Sequence, residues 1–145
     1  MNLNSFNIYD ASAGSGKTFT LVKEYLKILF SASGNDAYKN ILAITFTNKA
    51  VGEMKTRIIE TLKEFANKDI LEKPNDMFKT LCQELSTPPN IIHNKAKIIL
   101  MRIAHNYAAF DISTIDKFTQ KLIRAFAFDL KLPMNFEVEL DSEAL

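Results

Sequence analysis

The sequence predicts an α/β fold, a parallel sheet flanked by helices, and three observations predict it. A short apolar run at residues 6–9 leads through a glycine-bearing turn, ASAGSGKT at residues 11–18, into a helical pattern. A second apolar run, ILAITF at residues 41–46, is short and nearly all apolar, as suits a strand covered on both faces, and an amphipathic helical pattern follows it. Strand and helix then alternate with long crossovers, the order that builds parallel sheets.

The elements follow in order. Residues 6–10 read as a buried strand. The first helix spans about residues 16–31, with Phe19, Val22, Leu26 and Leu29 stepping by three or four and Tyr25 and Phe30 beside them. SASGNDAYKN is a loop in which Gly34 is the expected helix stop. After the strand at 41–46, a helix over about 48–67 buries Val51, Met54, Ile58, Leu62 and Phe65. Pro74 suits the first turn of another helix carrying Met77, Phe78, Leu81, Cys82 and Leu85 on one side. Pro88 and Pro89 separate it from a long helix, N-capped by Asn90, in which Ile92, Ala96, Ile99, Ile103, Tyr107 and Phe110 share a face. DISTID, residues 111–116, reads as an inner strand, and Phe118, Leu122, Ala125 and Phe126 continue as a helix. After Pro133, NFEVEL alternates like a half-exposed strand.

Composition narrows the function without naming it. The chain has 145 residues, 47% of them apolar, enough to bury a core, and a formal net charge of +1. That balance makes no global electrostatic case for nucleic acid, so any such case must come from local motifs. The single Cys82 argues against a disulfide framework and fits a reducing compartment, so a cytoplasmic location is expected. No apolar run approaches the ~20 residues of a membrane span, and no membrane partner is expected. His93 and His105 lack a second ligand at metal spacing and read as helix-surface residues.

The chemistry concentrates in residues 11–18. A strand, a glycine-bearing turn and a helix form the context of a phosphate-binding loop. Gly14 and Gly16 lack a Cβ, which lets the backbone wrap an oxyanion with its N–H groups inward. The helix start adds a positive dipole end. Lys17 is placed to reach terminal phosphates and Thr18 to put a hydroxyl on Mg²⁺. The usual pattern is G-x-x-x-x-G-K-[ST], and Ala11 stands for its first glycine. The nucleotide-binding set is thus Ala11, Ser12, Ala13, Gly14, Ser15, Gly16, Lys17 and Thr18, with ATP and Mg²⁺ as the expected cofactors.

TFTNKAVGEM at residues 45–54 lies where a strand ends and a helix begins, at the same carboxyl edge where ligands gather in open α/β sheets. Thr45, Thr47 and Asn48 can cap that helix, or they can hydrogen-bond phosphates of a nucleic-acid strand while Phe46 offers a ring to a base. Residue types alone favour capping.

ASAGSGKTFTLV followed by ITFTNKAVGEMKTRI resembles the RecB/AddA branch of the UvrD/Rep-like superfamily 1 DNA helicases. The first stretch is similar to that family's motif I, in which Ala commonly replaces the first glycine. The second resembles motif Ia, whose phenylalanine stacks on a base of single-stranded DNA. STIDKFTQKLIRAFA resembles motif Ib, of the form T-[IF]-H-[SG]-F: Thr114, Ile115 and Phe118 match, while Asp116 replaces the His and Lys117 the small residue. The resemblance implies a three-layer, RecA-like P-loop NTPase fold, of which residues 1–145 are the N-terminal part of the first motor domain, with a helical insertion at about 68–110. It implies DNA contacts from Thr45, Phe46, Thr47, Asn48, Thr114 and Phe118. It implies 3′ to 5′ movement on single-stranded DNA, a role in repair and recombination, and a nuclease present as a further domain or as a separate chain. The family's Asp-Glu strand and later motifs do not occur here. The chain is therefore expected to be part of a longer protein and inactive alone, with Asp116 too far from Thr18 to share a metal ion and available instead to cap the helix beginning at Lys117. Two other readings remain open: a small self-contained P-loop NTPase or phosphotransferase that uses Asp116, and a non-catalytic nucleotide-binding module.

Overall fold

A computed structural model describes residues 8–9 and 16–132. Among the described residues six helices and two strands follow one another: α1 (Lys17–Ser31), β1 (Ala43–Thr45), α2 (Asn48–Ala66), α3 (Asp69–Glu72), α4 (Asp76–Glu84), α5 (Pro89–His105), β2 (Ile112–Thr114) and α6 (Ile115–Ala125). Short 3₁₀ turns lie at Ala37–Asn40 and Tyr107–Ala109. The expected α/β class holds. Among the described residues the sheet is two parallel strands in register Ala43↔Ile112, Ile44↔Ser113 and Thr45↔Thr114.

The helical stripes bury themselves much as their spacing requires. Val22, Tyr25, Leu26, Leu29 and Phe30 of α1 are buried, as are Met54, Ile58, Leu62 and Phe65 of α2 and Ile92, Ala96, Ile99 and Ile103 of α5. Each fully buried Leu, Ile or Phe contributes roughly 1.5–3 kcal/mol over its exposed state. Phe65 is the junction: its ring stacks near Phe30 at 6.1 Å and meets Phe78 edge-on at 4.9 Å, tying α1, α2 and α4 together. His93 is not a surface residue. It is buried, and its Nδ1–H donates to the Phe65 carbonyl at 2.7 Å, satisfying a backbone acceptor at the end of α2. His105 is exposed, as expected, with Nδ1 2.7 Å from the Met101 carbonyl.

Several boundaries differ from expectation, each for a local reason. Phe19 stays 50% exposed, outside the α1 stripe's core. Helix α1 stops at Ser31 without Gly34, because Lys95 from α5 donates to the carbonyls of Phe30 and Ala32 and so supplies the C-cap from a distance. Burial lowers the pKa of that ammonium from its ordinary value. Helix α4 is capped by the Asn75 side chain, which accepts the Phe78 N–H at 2.8 Å, with Pro74 before the cap. Helix α5 begins with Pro89 at its first position and not after Asn90, since a missing N–H costs nothing there. It ends at His105, so Tyr107 lies in a 3₁₀ turn, half-exposed, while Phe110 is buried. Strands β1 and β2 are three residues each, shorter than residues 41–46 and 111–116. The face of β1 bearing Leu42 and Ile44 is open, at 47% and 45% exposure, and not covered as expected. Of the strand expected at residues 6–10, Ile8 and Tyr9 are described; they are exposed and in no strand, for β1 pairs with β2 alone among the described residues. The strand expected after Pro133 lies outside the described residues.

Candidate functional site

Of the predicted phosphate loop, Ala11, Ser12, Ala13, Gly14 and Ser15 lie outside the described residues; Gly16, Lys17 and Thr18 form the start of α1. Gly16 is the N-cap residue, at φ 87° and ψ 15°, in the left-handed region that L side chains enter only with strain. Its carbonyl accepts the Thr20 N–H at 2.9 Å, the first bond of the helix. No side chain among the described residues caps α1, and a helix start whose first-turn N–H groups have no side-chain acceptor is one that receives an anion. Lys17 is exposed and Thr18 half-buried. The donor set suits a phosphate with a hard cation: a left-handed glycine, an open ammonium and a hydroxyl one residue on.

The carboxyl ends of the two strands form a second centre. Thr45 and Thr114 are level in the parallel register, and each strand runs directly into a helix start. Phe46, immediately after β1, is 83% exposed. Thr47 is the N-cap of α2, its Oγ1 accepting the Ala50 N–H at 3.1 Å. Asn48 is exposed in the first turn. Thr114 caps α6, accepting the Lys117 N–H at 3.3 Å. The cap expected of Asp116 therefore belongs to Thr114; the helix begins at Ile115, two residues earlier than expected, and Asp116 sits exposed in its first turn. Thr114 is also buried, 4% exposed, so it orients the α6 backbone and does not face solvent as a contact residue. Phe118 is half-buried.

Phe19, two residues past Lys17, lines a cavity of about 330 Å³ with Arg57, Glu60, Thr61 and Glu64 from the second half of α2.

Between the starts of α2 and α6 lies a cavity of about 300 Å³. Asn48, Lys55, Asp111, Thr114, Lys117 and Lys121 are among the residues that line it. Lys121 Nζ donates to both Asp111 oxygens at 3.0 and 2.9 Å. Lys55 Nζ lies 5.1 Å from the Tyr107 ring centroid and 5.6 Å from that of Phe110. The signal was in the spacing: Asn48, Val51 and Lys55 at i, i+3 and i+7, and Lys117 and Lys121 at i, i+4, each put a lysine on one helix stripe. Among the described residues no group of three or more His, Cys, Asp or Glu could hold a metal ion, and no helix is long and apolar enough to cross a membrane.

Comparison with known proteins matches residues 2–144 to the UvrD/REP helicase N-terminal domain. The RecB subunit of the RecBCD enzyme of Haemophilus influenzae is 32% identical over 99% of this chain, and one of the subunits of the ATP-dependent helicase/nuclease of Listeria monocytogenes is 33% identical over 88% of it. The RecB subunit of Buchnera aphidicola is 31% identical over 87%. The chain spans 12%, 8% and 11% of the length of these relatives. No solved structure matches.

Proposed function

The chain belongs to the UvrD/REP helicase N-terminal domain family, and from that premise we propose that it is the ATP-binding part of an ATP-dependent 3′ to 5′ DNA helicase of the RecB/AddA type, acting in repair and recombination. In this reading the two parallel strands belong to a three-layer, RecA-like motor domain. Residues 68–110, which hold α3, α4 and α5, are its helical insertion.

The nucleotide is held by residues 11–18. Gly16 lets the chain turn into α1, Lys17 neutralises terminal phosphate charge and Thr18 offers its hydroxyl to Mg²⁺, which supplies charge neutralisation on the phosphates when bound. The observation that supports this most is the start of α1 behind a left-handed Gly16, capped by no side chain among the described residues, with Lys17 exposed beside it. Thr45, Phe46, Thr47 and Asn48 face single-stranded DNA at the end of β1, with Phe118 nearby on α6. Phe46 stacks a base, Asn48 contacts the backbone, and Thr47 and Thr114 hold the two helix starts in place. The names of the relatives, one a component of RecBCD and the other of a helicase/nuclease, support a nuclease domain or partner subunit in the longer protein.

An unwinding assay on that longer protein tests the reading. Duplexes with a 3′ single-stranded tail should be opened in the presence of ATP and Mg²⁺, and those with a 5′ tail left closed. Unwinding from 5′ tails alone, or without nucleotide, contradicts it.

A further inference from the structure

We propose that the outer side of α5 docks an acidic amphipathic helix of a partner protein, seated along Ile91, Ile98 and Met101. The inference is independent of the nucleotide and DNA readings above, which can fail without touching it.

Helix α5 is apolar on two sides. Its inner side, Ile92, Ala96, Ile99 and Ile103, is buried, and α2 packs against the helix. Its outer side carries Ile91, Asn94, Ile98, Met101 and His105, all exposed, at alternating steps of three and four residues. Ile91, Ile98 and Met101 are 54%, 38% and 54% open. Helix α2 shows what a solvated outer side looks like: Glu53, Arg57, Glu60, Lys63 and Glu64 are exposed there, and no large apolar residue is. A helix that is apolar on both sides is one that is covered on both. Alternating steps of three and four make the seam along which a second helix lies. Asn94, the polar residue within that seam, sets the register of its occupant.

Charge identifies the occupant. Helix α5 contains Lys95, Lys97 and Arg102 and no Asp or Glu. With Ile91, Ile98 and His105 on one row of the seam and Asn94 and Met101 on the other, these three cations take the flanking positions, where paired helices place their charges. The carbonyls of Phe30 and Ala32 engage Lys95, and Asp36 engages Arg102. Lys97 is exposed and has no carboxylate partner among the described residues. The neighbouring α3 brings Asp69 and Glu72, balanced by Lys68 and Lys73 on either side of it. A helix with acidic flanks therefore complements this surface. Two copies of α5 face to face would set Lys97 against Lys97 or Arg102, like charges in either direction. A nucleic-acid strand would find cations here, but the seam offers its bases no Phe, Tyr or Trp. Three apolar side chains also fall short of the wide apolar side with which a helix enters a lipid surface.

The test titrates fluorescein-labelled helical peptides with the 145-residue chain, read by anisotropy. The peptides are about three heptads long, with Leu along the seam and either Glu or Lys on the flanks, and their like-charged flanks keep each from pairing with itself. The Glu-flanked peptide should bind and the Lys-flanked peptide should not. Lys97→Glu should weaken the Glu-flanked peptide by roughly tenfold and give the Lys-flanked peptide measurable affinity. Ile91→Gln combined with Met101→Gln should weaken the Glu-flanked peptide by roughly tenfold or more. Lys63→Glu, on the solvated side of α2, should change nothing. Lys97 and Lys63 are exposed, so both charge variants should melt as the wild type does, which separates lost contact from lost fold. No binding of the Glu-flanked peptide overturns the proposal, as does equal binding of the two peptides or binding indifferent to Lys97→Glu and to the double variant. A wild-type dimer in sedimentation that the double variant loses overturns it in favour of a second copy of this chain. Binding of oligo-dT lost in Lys97→Glu, or of phosphatidylserine vesicles lost in the double variant, with the Glu-flanked peptide unbound, overturns it in favour of nucleic acid or lipid. None of the peptide readouts involves ATP or Phe46, so their failure leaves the proposed function as it stands.

Discussion

Replacing Phe46 with alanine separates folding from binding more cleanly than any other change at the carboxyl edge. The ring is 83% exposed and absent from the buried core, so its loss removes almost no apolar burial. Folding stability should move by less than about 0.5 kcal/mol, the range of ordinary surface substitutions. Binding is another matter. A base stacked on an aromatic side chain contributes about 1–3 kcal/mol, which converts to a roughly 5- to 140-fold loss of affinity for single-stranded DNA. Thr47 caps α2 through its own side chain and does not depend on the ring, so the helix start should survive the change. Thermal unfolding and oligonucleotide anisotropy on the same preparation read the two quantities. Unchanged melting with weakened binding is the expected pair of results. Equal affinity for the variant and the wild type refutes the stacking role, and a large drop in melting temperature refutes the claim that the ring lies outside the core.

Glu84 joins α4 to α1 through Lys23 at 2.8 Å and Lys27 at 2.7 Å. The hydrogen bond from Lys23, then that from Lys27, lowers its pKa. A carboxylate depressed in the fold contributes stability above its unfolded pKa, ordinarily 4.5, and loses it as the pH falls through the native value. Glu84→Gln should therefore cost about 0.5–1 kcal/mol at neutral pH, kept small by solvent screening, with the deficit closing in acid below 4.5; a deficit independent of pH contradicts the ion-pair account. The Tyr25 hydroxyl is buried with no partner among the described residues, and burial pushes its pKa above the ordinary 10.0. Tyr25→Phe should raise stability by about 1 kcal/mol at neutral pH. Its lead should stay constant below pH 10 and widen above it, where ionisation favours the unfolded wild type. A lower melting temperature for the variant would show that the hydroxyl is satisfied.

The helical stripes were legible because burial at three- and four-residue spacing leaves a pattern in the chain, as Ile58, Leu62 and Phe65 illustrate. Both strands were legible as positions, and their parallel pairing followed from the long crossover between them. Their lengths were not, since a strand's extent depends on its hydrogen-bonded neighbours. Helix ends were hidden wherever a distant residue supplied the cap: Lys95 ends α1, sixty-three residues away from Ala32, and Gly34 has no such part. His93 misled because its partner, the Phe65 carbonyl, is twenty-eight residues off and is a backbone group, which no side-chain spacing records. The motif residues Phe46, Thr47 and Asn48 stood out by type, but only the fold could show that Thr47 is spent on a cap and that Lys55, Lys117 and Lys121 converge on one cavity.

The central claim is that the start of α1 binds nucleotide phosphates through Lys17. Titration of the chain with ATP and Mg²⁺ by calorimetry, wild type beside Lys17→Ala, tests it most directly. Lys17 is exposed and outside the buried core, so the variant should fold as the wild type does. Loss of one charge-assisted contact should weaken binding by roughly 1.5–3 kcal/mol, about 10- to 140-fold. Equal affinity for the two proteins, or no binding of ATP by the wild type, contradicts the claim.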